Sequence, residues 1–507
     1  MVCLAGIDVG TTGTKVTIYN EEGTKIDSSY TEYSLSSPQP HWVEIDPNIW
    51  WRAVCNSFKE IFSRKLVMSE DIKGISISST NGLVLLNNTG IPIRPAIMQL
   101  DQRAAQYIEK IKMDLGEGTV EQITKNRVAS GAFWGPTLLW LLQEEKIAYR
   151  TATYFLTPHS YIVYKLTGAY IIDHSRASTT MLYNPESGTW DSDLCSYFDM
   201  KINVLPSIHE STDIVGDISN EAAKLTGLKK GTAVTAGCMD SVSGHIGIGT
   251  VDKSASLILG SVGRICFHTQ QLDLRFMNVR TLGAKMFSMT PTNAAGISYK
   301  WLKDLLFEDN HNKNTYKIMD QIGERSPVGA KGLIYHPYLA GERSPIWNPI
   351  ATGSFFGLTK EHKKEDLIRS VLEGVGYSIA HNYKMIKEDL RHNFECFHAS
   401  GGGAKSKTWL QILSHILGVP VKVPINSDSE TLGNAILAGV AVGVYSSVEE
   451  GITRTVKFKE TFYPDLNKFE LYQRFLELYI EMYDKNKSMY EKIQNLKKNI
   501  DISRNVD

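Results

Sequence analysis

The 507-residue sequence lacks the features of membrane-inserted and exported proteins. No apolar run approaches the roughly 18 residues that a membrane-crossing helix needs. The first residues also lack the basic head and apolar stretch of a signal peptide. We therefore expect a cytoplasmic protein that does not bind membranes.

Cysteine is sparse, and the six cysteines form no close pairs in the sequence. This spacing argues against both a zinc knuckle and a disulfide framework. We expect reduced and mostly buried thiols at Cys3, Cys55, Cys195, Cys238, Cys266 and Cys396.

The sequence also has no excess of basic residues. It contains 54 lysines and arginines and 55 acidic residues, which gives a net charge of −1. Proteins that bind nucleic acid are usually more basic, so we expect no nucleic-acid partner. The sequence shows no short-period repeat and no low-complexity linker. Its length exceeds what one hydrophobic core usually organises, which predicts two domains with a cleft between them.

Strand-like and helix-like segments alternate along the chain, which predicts the α/β class. Residues 73–78 and 82–86 have the pattern of strands, and residues 101–113 that of a charged amphipathic helix. Near the carboxyl end, residues 469–494 carry apolar residues and tyrosines at helical spacing, which predicts a docking helix.

The segment GIDVGTTGTK, residues 6–15, predicts a β-hairpin with a glycine-containing turn. The glycines permit a ligand to approach the backbone, and the hydroxyls of Thr11 and Thr12 can surround phosphate oxygens. Two interpretations stay open at this point. The segment is either an ordinary surface hairpin, or a phosphate loop in which Asp8 holds magnesium through water.

Two further glycine clusters follow. SASLILGSVGRICFH, residues 254–268, predicts a second hairpin, and the glycines at 401–403 precede a predicted helix at about 407–417. Three adjacent glycines let a flat ring or a phosphate lie against bare backbone. No segment fits the phosphate loop of P-loop NTPases or the dinucleotide-binding fingerprint, which disfavours both classes.

Asp240 is the candidate for a chemical role. It follows a predicted strand at 232–236 and stands where a helix of small residues begins. Phosphoryl transfer needs a group that accepts the proton of the attacking hydroxyl, and an aspartate suits that task. The alternative is that Asp240 only caps its helix, and the two roles are compatible.

Seven motifs in order resemble the FGGY family of carbohydrate kinases, over a match from about Leu4 to about Phe475. They are DVGTTGTK, AGCMDSVSGHIGIG, LGSVG, YLAGERSPIWNPIATGSFFGLT, SVLEGVGYSI, SGGGAKSKTWLQIL and DSETLGNAILAGVAVG. The resemblance implies two actin-like, ribonuclease H-like α/β domains that close on ATP and a sugar. It also implies transfer of the γ-phosphate to a hydroxyl of a sugar, sugar acid or polyol, with magnesium.

The resemblance assigns roles to residues of this sequence. Asp8 would support magnesium and Asp240 would be the catalytic base. The phosphate side would be lined by Thr11, Thr12, Lys15, Gly260 and Ser261. The adenosine pocket would be bordered by Gly402, Gly403 and Ala404, with Asn434 near it.

On the substrate side, the sequence is most similar to the xylulokinase and gluconokinase branches of the family, with departures. Ser79, Thr80 and Asn81 stand where those branches carry Gln-Met-His, and Thr137 stands where a lysine is usual. Our predicted sugar contacts are Thr80, Asn81, Asp101, Arg103 and Asp240. Asp101 and Arg103 have a structural alternative, a helix cap and a surface ion pair.

We predict a xylulose-like ketose as the substrate and a sugar acid such as gluconate as the alternative. An actin-like ATPase and a sugar-binding regulator without activity are alternatives of other classes. The predicted domains are residues 1–249 and 250–480, followed by the end of the C-terminal helix and a tail at 481–507, and a homodimer is compatible with the sequence.

Overall fold

The computed structural model describes residues 1–116, 118–307 and 314–504, with side chains up to residue 497. The chain divides into two compact units. The first comprises Met1–Val251, His268–Ser288 and Asp428–Val456. The second comprises Asp252–Phe267, Met289–Ser427 and Lys457–Asp507.

This division differs from the contiguous domains 1–249 and 250–480 that the sequence analysis predicts. The first unit recruits Asp428–Val456 from late in the chain, because that segment packs against its sheet. The predicted helix end at 481–507 belongs to a long helix that continues to Arg504, and residues 505–507 lie outside the described residues.

The strands in chain order are β1 (Cys3–Val9), β2 (Gly13–Asn20), β3 (Lys25–Glu32), β4 (Glu44–Ile45), β5 (Ile72–Ser79), β6 (Gly82–Leu86), β7 (Ala96–Met98), β8 (Tyr154–Leu156), β9 (Ile171–Asp173), β10 (Tyr183–Asn184), β11 (Thr189–Trp190), β12 (Ser207–His209), β13 (Ile214–Asp217), β14 (Ala233–Thr235), β15 (Cys238–Met239), β16 (Ser254–Leu259), β17 (Gly263–Thr269), β18 (Met277–Arg280), β19 (Met286–Thr292), β20 (Ile334–His336), β21 (Ser354–Phe356), β22 (Cys396–Ser400), β23 (Val421–Pro424) and β24 (Phe458–Phe462).

The α-helices are α1 (Pro47–Ser63), α2 (Tyr107–Leu115), α3 (Thr119–Thr124), α4 (Trp134–Glu144), α5 (Lys146–Thr151), α6 (Pro158–Thr167), α7 (His174–Ala177), α8 (Ser192–Tyr197), α9 (Asn220–Thr226), α10 (Asp240–Gly247), α11 (Gly296–Leu306), α12 (Thr315–Gly323), α13 (Lys364–Glu388), α14 (Lys407–Leu417), α15 (Ser429–Ala441), α16 (Val448–Thr455) and α17 (Leu466–Arg504). Short 3₁₀ turns occur at Ser69–Asp71, Ile202–Val204, Leu282–Ala284, Ala330–Gly332 and Gly402–Lys405.

The sheet of the first unit has the strand order β13-β14-β5-β1-β2-β3, and β15 also pairs with β5. Strands β1 and β2 form the predicted antiparallel hairpin. Strand β5 lies parallel to β1, and both β14 and β15 lie parallel to β5. The predictions of a hairpin at residues 6–15 and of strands at 73–78 and 82–86 are confirmed.

The second unit repeats this arrangement along the path β17-β16-β22-β23-β24. Strands β16 and β17 form an antiparallel hairpin, and β16, β22 and β23 are parallel. Helix α14 starts directly after the glycine triplet, within the range that the sequence predicts. The α/β class and the second hairpin are therefore confirmed.

The core of the first unit is apolar on both faces of its sheet. Ile7, Ile75 and Ile77 are fully buried in the strands, and Trp50 and Phe58 of α1 are fully buried as well. A second buried cluster includes Trp134 and Leu138 of α4. All six cysteines are free thiols and buried, as predicted.

Two local predictions are wrong. The helix expected from residue 101 begins only at Tyr107, because residues 101–106 form turns in which Asp101 and Arg103 pair with each other. The leucines of residues 138–142 form an apolar stripe that would leave Thr137 at the surface of its helix, but Thr137 is 5% exposed and packs inside. The apolar stripe of α4 itself is buried as this pattern requires.

Helices α10 and α15 and strand β1 approach each other through glycines. A Cβ added to Gly247 would lie 1.8 Å from the carbonyl oxygen of Ser429, and one added to Gly433 would lie 1.8 Å from that of Ser243. A Cβ on Gly6 would lie 1.9 Å from the carbonyl oxygen of Thr431. Backbone occupies the space that any other side chain would need, so these contacts require glycine.

None of the helices within the described residues combines the length and the apolar character that a bilayer-spanning segment needs.

We predict that Gly433→Ala lowers the free energy of unfolding by about 2 kcal/mol or more, because the new methyl group overlaps the backbone of α10. Chemical denaturation of both proteins measures the difference. Gly402→Ala is the control, because no described atom lies within 4 Å of the position of its Cβ. Equal stability of Gly433→Ala and the control would contradict the close contact.

Candidate active site

Three parallel strands of the first unit end at one edge of its sheet. In β1, Asp8 pairs in register with Ser78 of β5, and Cys238 of β15 pairs with the same Ser78 from the other side. Thr80 follows β5 directly, and Asp240 follows β15 directly. Because the carboxyl ends of parallel strands share an edge, these polar residues come together there.

Asp8 lies in an acidic environment. The Ser78 hydroxyl donates a hydrogen bond to Asp8 Oδ1 at 2.7 Å. Burial raises the pKa of Asp8 well above its usual range, and the carboxylates of Glu430 and Asp240 raise it further. Two negative neighbours and a desolvated carboxylate together form a site that a cation would stabilise.

Asp240 is the first residue of α10, and Met239 before it occupies the N-cap position. Asp240 Oδ1 accepts a hydrogen bond from the backbone N–H of Ser241 at 2.7 Å. Its side chain is 33% exposed, whereas most polar groups around it are buried. The capping alternative is therefore not the arrangement found, and the carboxylate is accessible for chemistry.

A buried polar chain that the sequence analysis missed lies behind Asp240. Arg176 Nη2 is 3.5 Å from Asp240 Oδ1, and Asp173 accepts hydrogen bonds from the backbone N–H groups of Ser175 and Arg176. His159 Nε2 lies 3.4 Å from Asp173 Oδ1. The sequence around Arg176 gave no motif signal, and its contact with Asp240 spans 64 residues, which a local pattern does not show.

Burial shifts the pKa values of Asp173 and His159 in this row of polar side chains. Burial raises the pKa of Asp173 to about 6, although hydrogen bonds from Ser175 lower it in part. Burial lowers the pKa of His159 well below its usual value, and the charge of Arg176 acts in the same direction. His159 is therefore neutral at pH 7.

Of the predicted threonines, Thr11 and Thr80 come together. Gln99 Nε2 donates to Thr11 Oγ1 at 2.9 Å, and the hydroxyls of Thr11 and Thr80 are 3.4 Å apart. Thr12 is exposed at the hairpin turn. Gln99 therefore joins these two hydroxyl groups, and the sequence analysis assigns it no role.

Lys15 was predicted on the phosphate side, but its ammonium group pairs closely with the carboxylate of Asp428. Lys25 Nζ lies 3.3 Å from the other oxygen of Asp428. The structure thus gives Lys15 an ion-pair partner 413 residues away, at the start of α15. The ammonium group of Lys15 is thus engaged by a protein carboxylate in this structure, and its place on the phosphate side stays a prediction.

Asn434, which the resemblance places near the adenosine pocket, makes structural contacts within the first unit. It is fully buried in α15, and its Nδ2 donates to Ile7 O and to Ser78 Oγ, both at 2.8 Å. It holds α15 against the strands that carry Asp8.

The predicted sugar contacts Asp101 and Arg103 are structural. The Arg103 side chain is 1% exposed, pairs with Asp101 at 2.7 Å and with Glu44 at 2.7 Å, and lies 3.7 Å from the ring centre of Trp42. Asp101 Oδ2 also accepts from the backbone N–H of Val43 at 2.6 Å. Protein partners thus engage both side chains in this structure, and neither residue caps a helix.

Asn81 is 7% exposed and bonds mainly to backbone. Its Nδ2 donates to Ala132 O at 2.7 Å, and its Oδ1 accepts from Gly82 N at 3.0 Å. Asn81 therefore fixes the turn after β5 that presents Thr80.

In the second unit, the predicted phosphate turn stands against the start of α11. The carbonyl oxygens of Gly260 and Ser261 accept hydrogen bonds from Gly296 N at 2.9 Å and Ala295 N at 3.1 Å. Ser261 itself is exposed at the turn. The glycine triplet adjoins this turn, since a Cβ on Gly401 would lie 2.7 Å from Leu259 O.

Gly402, Gly403 and Ala404 form a 3₁₀ turn in front of α14. Gly402 is exposed, with open space where a side chain would stand, and Gly403 packs close to Leu259 and Trp409. Backbone is therefore accessible at Gly402, as the adenosine assignment requires.

The described residues include no group of three His, Cys, Asp or Glu side chains that could hold a metal ion by themselves. Asp8 nevertheless fits magnesium, which keeps several water ligands and binds few carboxylates besides phosphate oxygens. The two neighbouring carboxylates that raise its pKa are the observation in favour.

Comparison with known proteins identifies the chain. The N-terminal domain of the FGGY family of carbohydrate kinases matches residues 3–247, and the C-terminal domain of that family matches residues 278–442. The chain belongs to the FGGY family of carbohydrate kinases.

Individual relatives are consistent with this family assignment. A xylulose kinase of Staphylococcus epidermidis is 31% identical over 497 residues, covering 96% of this chain and 97% of the relative. A gluconokinase of Bacillus subtilis is 30% identical over 458 residues, covering 88% and 89%. The crystal structure of a xylulose kinase from Lactobacillus acidophilus has a TM-score of 0.90 at 25% identity, covering 97% of this chain and 100% of that one.

This FGGY kinase is thus an ATP-dependent sugar phosphotransferase with two actin-like α/β domains, as the motifs predicted. Family membership favours the kinase over the actin-like ATPase. ATP and a small-molecule sugar are its substrates.

We predict that Asp173→Asn changes how the stability of this kinase depends on pH. The native pKa of Asp173, about 6, exceeds the unfolded value, so the native state binds more protons and stability falls as pH rises from about 4 to about 6. Asparagine is also a preferred helix cap, so the variant removes the titrating carboxyl group and keeps one oxygen that accepts from α7. The gain in unfolding free energy of Asp173→Asn over wild type should grow across this window. Urea denaturation of both proteins measures these free energies. If the free energies of unfolding of wild type and variant changed in parallel with pH, the raised pKa of Asp173 would be contradicted.

Proposed function

We propose that this kinase phosphorylates a ketose of the xylulose type, with Asp240 as the general base. The observation that carries the proposal is the accessible Asp240 carboxylate beside Asp8, at one sheet edge. Asp240 takes the proton of the substrate hydroxyl as its oxygen bonds to the γ-phosphorus, and the bond from phosphorus to the ADP oxygen breaks. Xylulose kinases are among the relatives most similar to this chain.

The charges at the site favour a neutral ketose over a sugar acid. A sugar acid needs a cation that meets its carboxylate. Arg103 is buried between Asp101 and Glu44, and Lys15 is paired with Asp428. Thr11, Thr80 and Gln99 offer hydroxyl and amide groups instead, which suit uncharged hydroxyls.

Gluconate is the second candidate substrate. The gluconokinase of Bacillus subtilis matches most of the chain at an identity close to that of the xylulose kinase. Thr80 would contact either substrate, because its hydroxyl adjoins Thr11 beside Asp8.

We further propose that Asp8 holds magnesium through water. When bound, the ion neutralises charge on the ATP phosphates. Asp8 would hold water ligands of the ion, and the hydroxyls of Thr11 and Thr12 would face the phosphate oxygens. In the second unit, Gly260 and Ser261 would contact phosphate, and Gly402, Gly403 and Ala404 would border adenosine. A homodimer and a cytoplasmic location remain predictions.

The decisive test is phosphoryl transfer from ATP to a panel of ketopentoses, hexonates and polyols. We expect one ketopentose to give the highest kcat/KM. Strong preference for a hexonate would replace the ketose assignment, and binding of a sugar without phosphorylation would indicate a regulator.

In the same assay, Asp240→Ala should lose phosphoryl transfer by about 100-fold or more, because removal of a general base costs that much. Binding of ATP, followed by calorimetry, should persist, since the base contacts the acceptor. Asp114→Ala is the matched control, because Asp114 pairs with Lys110 on an exposed helix surface. Unchanged transfer in Asp240→Ala would remove Asp240 from this role.

Asp8→Asn should raise the magnesium concentration needed for half-maximal activity by about tenfold, because one charge is lost from the ion's environment. Titration of activity with MgCl₂ at saturating ATP and sugar gives this concentration. An unshifted magnesium curve with normal activity would show that Asp8 does not support the ion.

A further inference from the structure

Arg176 is a buried cation directly behind the exposed carboxylate of Asp240. Its side chain is 1% exposed, and that of Asp240 is 33% exposed. The two groups approach to 3.5 Å between Arg176 Nη2 and Asp240 Oδ1. A guanidinium with so little accessible surface cannot touch a sugar or ATP, so any effect on the reaction passes through the carboxylate.

The backbone around Arg176 is fastened to the segment that carries Asp240. Asp173 caps α7 by accepting from Ser175 N at 2.8 Å and from Arg176 N at 3.3 Å. The hydroxyl of Ser175 in turn accepts a hydrogen bond from the backbone N–H of Met239 at 2.9 Å. Helix α7 is thereby joined to the residue before Asp240, which fixes the distance between the two charges.

The two oxygens of Asp240 differ in their contacts. Oδ1 meets Arg176 and accepts from the backbone N–H of Ser241. Within the described part of the chain, no hydrogen bond engages Oδ2. The carboxylate is therefore held by one oxygen while the other stays available to accept a proton.

Arg176 also compensates negative charge beyond Asp240. Burial lowers its pKa, and the carboxylates of Asp240, Asp173 and Asp8 all act against that shift. The guanidinium Nε is buried without a hydrogen-bond partner among the described residues. A buried arginine with an unused donor costs stability, which is expected of a group retained for its charge.

We infer that Arg176 is a positioning residue, which holds Oδ1 of Asp240 so that Oδ2 faces the hydroxyl to be phosphorylated. The inference rests on the proposed role of Asp240 as general base. It adds a residue on α7, outside every motif that marks the family in this sequence.

The test compares Arg176→Gln, Arg176→Lys and the wild type in steady-state kinetics with the best substrate of the panel. A displaced base should reduce kcat of Arg176→Gln about 10- to 100-fold, with KM for ATP and sugar changed less than about threefold. Arg176→Lys keeps the charge and should recover part of the loss. Arg369→Gln is the matched control, because Arg369 is a buried arginine of the second unit that pairs with Glu373. Its kcat should stay within about threefold of wild type.

A double-mutant cycle separates positioning from a general loss of structure. In the Asp240→Asn background, Arg176→Gln should cause little further loss of the residual transfer, because its effect acts through Asp240. Additive losses, an unchanged kcat in Arg176→Gln, or an equal loss in Arg369→Gln would each overturn the inference. If Arg176→Gln fails to fold, Arg176→Lys carries the test, and a kcat and an Asp240 conformation equal to wild type in its crystal structure would overturn the inference.

The same series distinguishes the inference from the proposed function. Loss of activity in Asp240→Asn with full activity in Arg176→Gln contradicts only the positioning role. Full activity in Asp240→Asn contradicts the base and the positioning role together.

Discussion

The candidate active site depends on a contact in which backbone meets backbone. Gly247 of α10 and Gly433 of α15 let these helices touch, and Gly6 lets α15 lie against β1. The same three elements carry Asp240, Glu430 and Asp8. A side chain at any of these glycines would push the elements apart, and the carboxylates would move with them. The geometry of the site is thus set by residues that have no functional group.

The electrostatics of the site oppose the stability of the fold. Asp8, Asp240 and Asp173 lie near one buried cation, Arg176, and burial raises the pKa of Asp8 and Asp173. Such an arrangement is unfavourable by itself, and the cation that we propose for Asp8 would relieve it. Functional sites commonly break the rules that the rest of a sequence obeys. His159, which lies beside Asp173, is neutral and therefore adds no further positive charge to this buried region.

The two units share a strand pattern but differ in charge at the hairpin turn. In the first unit, Asp8 pairs across the hairpin with Lys15 and across the parallel ladder with Ser78. In the second unit, Ile258 holds the matching place, paired with Arg264 and Ser400. The acidic group therefore occurs in only one of the two hairpins. This asymmetry agrees with a division in which one unit supplies the acidic chemistry and the other supplies glycine turns.

The sequence by itself determined the local features of this kinase. Alternating apolar residues and glycine turns specify both hairpins, and the start of α14 after the glycine triplet was predictable from the same short-range rules. The position of Asp240 at the start of a helix was also visible in its segment. Only the tertiary structure decided which charged and polar side chains have protein partners. Lys15 meets Asp428, Asn434 meets Ile7, and Arg176 meets Asp240 across separations of 413, 427 and 64 residues. Arg103 is likewise buried between Asp101 and Glu44, a contact that the folded chain provides. Whether a charged side chain binds a ligand or a neighbour depends on the burial and the partners that the folded chain provides, and a local pattern contains neither.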